Sequence, residues 1–139
     1  MKILVDTNIL LDVLLDRESL ADESQAVLDW CEAHPGDGWI AWHTLANLYY
    51  IGLKTAGKKE ADRFVDEILD VFEVCPADSL AARTARSLPI SDFEDALQIA
   101  AGQKARVERI VTRNKRDFRR SPIPALTPRE FLSAAVPNP

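Results

Sequence analysis

The chain opens with a short apolar run, Ile3-Leu4-Val5, that ends on Asp6-Thr7-Asn8, and helical spacing starts immediately afterwards. An apolar run bounded in this way reads as a strand buried on both faces, the kind found in parallel sheets covered by helices. In open sheets of that type ligands bind beyond the carboxyl ends of the strands, so Asp6 is aimed at a site. Asp and Asn also end strands and cap helices for structural reasons alone. The weight of Asp6 therefore depends on which other polar residues reach the same edge.

The rest of the sequence alternates between helical and strand patterns without a repeat, a low-complexity tract or a separating linker, which predicts one α/β domain over residues 1–139 with right-handed crossovers. Helices are expected over Ile9 to Leu15 and Ser19 to Ala33, and Pro35-Gly36-Asp37-Gly38 breaks the pattern before a strand at Trp39 to Trp42. His43 to Ala56 and Lys59 to Val71 read as amphipathic helices on either side of Gly57. A strand over Val71 to Cys75 is closed by Pro76, and a helix over Ser79 to Leu88 by Pro89. Ser91 or Asp92 can cap a further helix running to Ala105, whose first-turn acids suit the helix dipole. Strands at Arg109 to Thr112 and Ile123 to Leu126 follow, and Thr127-Pro128 opens a terminal helix.

With 47% hydrophobic and 28% charged residues the chain has the composition of a folded domain, and disorder is not expected. No apolar stretch approaches the roughly 18 residues of a membrane span, and no secretion signal is legible, so a cytoplasmic protein without membrane association is expected. Cys31 and Cys75 stand alone within apolar patterns, which suits reduced core thiols. Residues 104–120 carry eight basic residues against Glu108 and Asp117, a local charge of +6 that leaves −11 for the rest of a chain whose net charge is −5. Such a segment can hold phosphates, and it can equally be a solvated helix end and loop.

Three separated places offer acids or amides to one sheet edge: Asp6-Thr7-Asn8, Asp92 with Asp95, and Asn114 to Asp117. The spacing of three puts the carboxylates of Asp92 and Asp95 on one side of a first helical turn. Clustered like charges cost energy unless a cation or a hydrogen-bond network compensates them. Oxygen donors without a nearby histidine or cysteine favour Mg²⁺ or Mn²⁺ over Zn²⁺.

Along nearly its whole length the sequence resembles the PIN-domain ribonucleases, the family that includes VapC-type toxins of bacterial toxin–antitoxin systems. The resemblance rests on Val5-Asp6-Thr7-Asn8-Ile9-Leu10-Leu11-Asp12, Thr44-Leu45-Ala46-Asn47-Leu48-Tyr49-Tyr50, Asp92-Phe93-Glu94-Asp95-Ala96-Leu97-Gln98, Val111-Thr112-Arg113-Asn114-Lys115-Arg116-Asp117-Phe118 and Ile123 to Leu132, in that order. It implies a three-layer α/β/α fold around a central, mainly parallel sheet of four to five strands. It also implies catalytic, metal-holding roles for Asp6, Asp95 and Asp117, with Asn114 as the alternative to Asp117 and Asp92 as an accessory acid. Asn8, Asn47, Thr112 and Asn114 would orient these carboxylates. The chain departs from the family at Asn47, where members usually carry glutamate, and either Glu94 or Asp92 can replace that charge. Of these two, Asp92 is expected to face the pocket and Glu94 the surface.

The reading that follows is Mg²⁺- or Mn²⁺-assisted hydrolysis of single-stranded or looped RNA, and the resemblance implies 5′-phosphate and 3′-hydroxyl products. Arg113, Lys115, Arg116, Arg119 and Arg120 would grip the RNA backbone. Trp39, Trp42 or His43 can contact a splayed base, although core packing is the commoner use of such tryptophans. A small antitoxin protein placing an arginine or lysine in the pocket, and a homodimer, are the implied partners, with Leu48, Tyr49, Tyr50 and Leu53 serving a dimer interface or the core. The competing reading is a PIN-fold module, depleted at Asn47, that binds RNA or protein without turnover. A phosphotransfer receiver domain fits poorly, because Val74-Cys75-Pro76-Ala77-Asp78 does not place a phosphorylatable aspartate at the end of a middle strand.

Overall fold

A computed structural model describes residues 1–135; the sequence-based domain extends four residues further, and residues 136–139 lie outside the described ones. Five strands, β1 (Ile3–Val5), β2 (Gly38–Ile40), β3 (Glu73–Val74), β4 (Arg109–Val111) and β5 (Ala125–Leu126), form one sheet in the order β3-β2-β1-β4-β5. Every pairing is parallel, with Ile3 opposite both Gly38 and Arg109. The helices are α1 (Thr7–Leu14), α2 (Ala21–Ala33), α3 (Trp42–Ala56), α4 (Lys58–Val71), α5 (Ser79–Ser87), α6 (Phe93–Ala105) and α7 (Pro128–Ala135).

Alternation along β1 builds the layers, because successive side chains of a strand point to opposite faces. Ile3 and Val5 enter a core with Ile9 and Leu10 of α1, Val27 of α2, Leu48 of α3, Phe64 and Ile68 of α4 and Phe131 of α7. Leu4 points the other way, into a second core with Ile99, Ala101 and Ala105 of α6. Ala85 of α5 packs on Ala96 and Ala100 of α6 to complete that side, and Lys104 pairs with Asp78 across the same two helices. The three-layer α/β/α arrangement is thus present, with the sheet wholly parallel and five-stranded.

The chain winds from β1 through β2 to β3 on one side of the sheet and returns to place β4 and β5 on the other. Backbone connections therefore diverge at the carboxyl ends of β1 and β4, which opens the crevice that parallel α/β sheets use for ligands. Asp6 follows β1 there, its N–H donating to Val111 O at 3.0 Å, and Thr112 follows β4, its N–H donating to Leu126 O at 2.9 Å.

Several boundaries differ from the sequence-based ones. Helix α1 starts at Thr7 directly after Asp6, two residues earlier than the apolar periodicity indicates. Strand β2 ends at Ile40, and Trp42 is the first residue of α3 rather than the last of a strand. A 3₁₀ turn at Lys115–Phe118, which no sequence pattern announced, buries Phe118 beneath the second core. Both cysteines are free and buried, and burial pushes each thiol up to about 12, in keeping with core thiols.

Gly38 marks the tightest contact between the sheet and α2. A Cβ there would lie 2.8 Å from Cys31 Sγ and 3.1 Å from Phe72 Cδ1. Gly38→Ala is therefore expected to destabilise the fold by about 1–3 kcal/mol, the usual cost of overpacking. Adding Cys31→Ala should recover only part of that loss in urea unfolding, because the Cβ of residue 31 would still lie 2.9 Å from the new one, and a Gly38→Ala protein as stable as wild type would contradict this packing.

Candidate metal centre

Asp6 sits at the N-cap of α1 yet makes no side-chain capping bond, although capping is the commonest use of aspartate at that place. Its carboxylate, 1% exposed, turns inward instead. Oδ1 accepts from Gln98 Nε2 at 2.9 Å and Oδ2 accepts from Thr112 Oγ1 at 2.8 Å. Burial raises the Asp6 pKa, and the charge of Glu94 adds to the rise. The hydrogen bonds from Gln98 and Thr112, with the smaller influence of the nearby Asn8 backbone, offset only part of it. Asn8 thus contributes through its main chain, and so does Asn114, whose N–H donates to Thr112 Oγ1 at 3.0 Å.

Gln98 joins Asp6 to a second carboxylate. Its Nε2 also donates to Glu94 Oε2 at 3.0 Å, leaving the buried Oε1 without a partner among the described residues. The opposite amide orientation would set that oxygen against two carboxylates, so the acids dictate the orientation. Glu94 receives Thr7 Oγ1 at 3.3 Å, and Thr7 Oγ1 in turn lies 2.8 Å from Thr44 Oγ1 of α3. His43 Nε2 stands 3.5 Å from Glu94 Oε1, a charge contact rather than a good hydrogen bond.

Asp95 completes the cluster. Carboxylate oxygens of Asp92, Glu94 and Asp95 lie within 4.8 Å of one another. Burial first, then the charge of Asp6, the hydrogen bond to Glu94 and the charges of Asp92 and Glu94, push Asp95 up to about 8. Glu94 moves the opposite way: burial opposes its charge, but contacts with His43, Gln98 and Asp95 outweigh it and hold its pKa below the usual value. The two carboxyls titrate as a coupled pair that shares a proton, with Glu94 held toward its ionised form and Asp95 pushed toward its protonated one. The donor set fits a hard divalent cation. Carboxylate oxygens converge on one spot, and without a positive charge one of them must stay protonated at neutral pH.

Glu94, expected at the surface, is turned inward, whereas Asp92, expected to face the pocket, joins the acidic group from an exposed position. Asp92 is the exposed N-cap of α6, with extended backbone angles, and its Oδ1 accepts from the Asp95 N–H at 3.2 Å. Because its backbone is not helical, the spacing of three does not set its direction as it would inside the helix. Glu94 lies one helical turn before Gln98, on the face turned toward Asp6. A glutamine inside the apolar series Ala96-Leu97-Gln98-Ile99-Ala100, four residues after a glutamate, was the sequence signal for this inward polar face. His43 was weighed only as a base contact, and nothing in its sequence surroundings points to Glu94.

Asp117 is not brought into the acidic group. It is exposed on the 3₁₀ turn after β4 and lines a hollow of about 340 Å³ with Ser91, Arg116, Arg119 and Arg120. Asn47 is half-buried on α3, one turn beyond His43 and hence on the same helix face.

The five basic residues expected to hold RNA divide into two groups. Arg113 Nε donates to Asp12 Oδ2 at 2.6 Å, and Asp12, fully buried, also receives Ser24 Oγ at 3.0 Å and Arg17 at 3.1 Å. Arg113 is therefore an internal ion-pair partner, a correction to its expected place on the RNA. Lys115 pairs with Glu130 of α7 at 2.8 Å. Arg116, Arg119 and Arg120 are exposed and make no ion pair among the described residues.

Residues 2–116 match the family model of the PIN domain, and the chain belongs to the PIN-domain family. No curated protein sequence matches it. Among solved structures it is similar to a toxin–antitoxin complex from Klebsiella pneumoniae, with a TM-score of 0.69 and 24% identity over 91% of this chain and 98% of that one. VapBC2 from Rickettsia felis, solved with a DNA fragment from its promoter, has a TM-score of 0.69 and 19% identity over the same shares of the two chains. The sarcin–ricin loop cleaving toxin VapC20 of Mycobacterium tuberculosis has a TM-score of 0.62 and 16% identity over 78% of this chain and 87% of its own. At these identities the likeness is one of fold.

Two measurements test the centre as described. Asp95 and Asp6 bind protons more tightly folded than unfolded, so their contribution to stability is full below about pH 4 and is lost as pH rises through the Asp95 value of about 8. Metal-free melting temperatures should therefore decline across that window, and Asp95→Asn should flatten the decline; an identical slope in the variant would contradict the shared proton. Arg113→Ala leaves Asp12 buried with fewer partners and should cost about 3 kcal/mol in urea unfolding. A loss below about 1 kcal/mol, typical of a surface pair, would return Arg113 to the exposed basic set.

Proposed function

We propose that the chain is a Mg²⁺- or Mn²⁺-dependent endoribonuclease and the cytoplasmic toxin of a toxin–antitoxin pair. The observation that carries the reading is the convergence of the Asp92, Glu94 and Asp95 carboxylates at the sheet's carboxyl edge, where Gln98 ties Glu94 to the buried Asp6. Family membership supports nuclease chemistry, and the VapBC complexes of similar fold support an antitoxin partner.

Asp92, Glu94 and Asp95 would hold the ion together with Asp6, which Gln98 ties to Glu94. When bound, a divalent ion supplies Lewis-acid polarisation of the phosphate and a lowered pKa for the attacking water. The chain's own groups do the remaining work. Thr112 and Gln98 keep Asp6 fixed, and Gln98, Thr7 and His43 keep Glu94 ionised and turned inward. Arg116, Arg119 and Arg120 hold the RNA backbone beside the acids, and neutralising them should reduce the salt dependence of binding by about one unit per lost phosphate contact. Glu94 takes over the charge that relatives usually supply at the place of Asn47. An antitoxin arginine or lysine entering the same cluster would satisfy the carboxylates in the ion's stead. Tyr50, 65% exposed, and Leu53, 38% exposed, form the homodimer-facing side of α3, whereas Leu48 belongs to the core.

The second reading, a module that binds RNA or protein without turnover, rests on Asn47. Cleavage of a structured RNA in Mn²⁺, together with calorimetric Mn²⁺ titration, separates the two. Asp6→Asn and Asp95→Asn should each abolish cleavage while leaving the fold intact. Glu94→Gln should weaken Mn²⁺ binding tenfold or more, about 1.4 kcal/mol, and adding Asn47→Glu should restore much of it. Wild-type protein that binds Mn²⁺ but cleaves no RNA supports the module; cleavage unaffected by any of the three acid substitutions removes this site.

A further inference from the structure

Trp42 is 65% exposed although tryptophan is a costly side chain to leave in water. It opens α3 immediately before His43, the residue that touches Glu94. It lines a hollow of about 360 Å³ together with Val74, Cys75, Pro76 and Ala77. These residues follow β3 at its carboxyl end, where the Cys75 N–H donates to Ile40 O at 2.8 Å and ties the hollow to the end of β2. The other two tryptophans are already engaged. Trp39 Nε1 donates to Gly36 O at 2.9 Å, with Lys2 Nζ 5.0 Å from the ring centre, and Trp30 packs edge-on against Phe131.

Along the carboxyl edge the surface thus changes character from strand to neighbouring strand across the sheet. Basic residues lie beyond β4, carboxylates lie at β1, and an uncharged aromatic hollow lies beyond β2 and β3. The hollow carries no cation for a phosphate, and its exposed aromatic residue is Trp42. We propose that Trp42 stacks with an unpaired nucleobase of the RNA strand whose backbone lies at the acids, a base-binding position beyond β2 and β3 that this chain's own residues build. This rests on the ribonuclease reading and deepens it by naming what the site requires of its substrate. Stacking on an aromatic ring accepts any base, because every base has a π-face, and a base-paired nucleotide cannot offer that face without leaving its helix.

The test is binding of a short fluorescent oligoribonucleotide, single-stranded or in a duplex, to the full chain with Ca²⁺ replacing Mg²⁺. Trp42→Ala should weaken single-strand binding about tenfold, the loss that accompanies removal of one stacked base. Trp42→Phe should retain most of the affinity, duplex binding should change with neither variant, and the melting temperature should stay put because the indole packs on little. A Trp42→Ala protein that binds single strands as tightly as wild type, while Arg116→Ala and Arg119→Ala weaken them, overturns the stacking role and leaves the ribonuclease reading intact. In that case the indole serves another occupant, such as an apolar side chain of a protein partner. Wild-type protein that binds no single-stranded RNA overturns both.

Discussion

A carboxylate that is almost wholly out of water must be held by hydrogen bonds, and the arrangement around Asp6 shows how much of the fold that requirement organises. Its two oxygens are bonded by Thr112, just after β4, and by Gln98, in the middle of α6. The central strand, its neighbour and the helix covering the second face are thereby brought to one point. An unsatisfied buried carboxylate costs several kcal/mol, so neither donor is replaceable by an apolar residue of similar size. Gln98 goes further, because its single amide nitrogen serves Asp6 and Glu94 together and sets the distance between two like charges.

From that constraint follows the electrostatic character of the centre. Burial pushes Asp6 toward its neutral form, and its hydrogen bonds offset part of that tendency; Glu94, with more bonds and His43 beside it, is held toward its charged form; Asp95, with less support, is pushed toward its protonated one. Adjacent carboxyls with opposed pKa shifts define an environment poised for a positive ligand, whether a metal ion or a basic side chain of a partner. The same logic governs Asp12, fully buried beside Arg113, Arg17 and Ser24. There the compensating charges belong to the chain itself, so the result is a closed ion-pair cluster and not a ligand site.

Asp12 and Glu130 explain why the basic segment after β4 does not act as a unit. Arg113 is consumed within the fold and Lys115 reaches α7, which leaves Arg116, Arg119 and Arg120 around a hollow next to the start of α6. A local charge of +6 in the sequence therefore overstates the charge available to a polyanion.

Read from the sequence alone, the order of elements, the buried first strand, the carboxylate delivered at its end and the break points at Gly57 and Pro89 were all legible, because they follow from local periodicity and from residues with restricted backbones. The family likeness rested on the same local blocks. Direction was not legible. Asp92 and Glu94 are two residues apart, and only the non-helical backbone of the N-cap and the position of Gln98 leave the first exposed and turn the second inward. Arg113 and Arg116 are three apart in one basic run, yet a buried Asp12, 101 residues before Arg113, claims one of them. Trp42 follows a strand, as core tryptophans do, and is left in water because α3 starts at that residue and carries its ring past the edge of the sheet. Sequence records which groups are near one another along the chain. Which of them are desolvated, paired or left facing solvent is decided by what packs against them from distant segments.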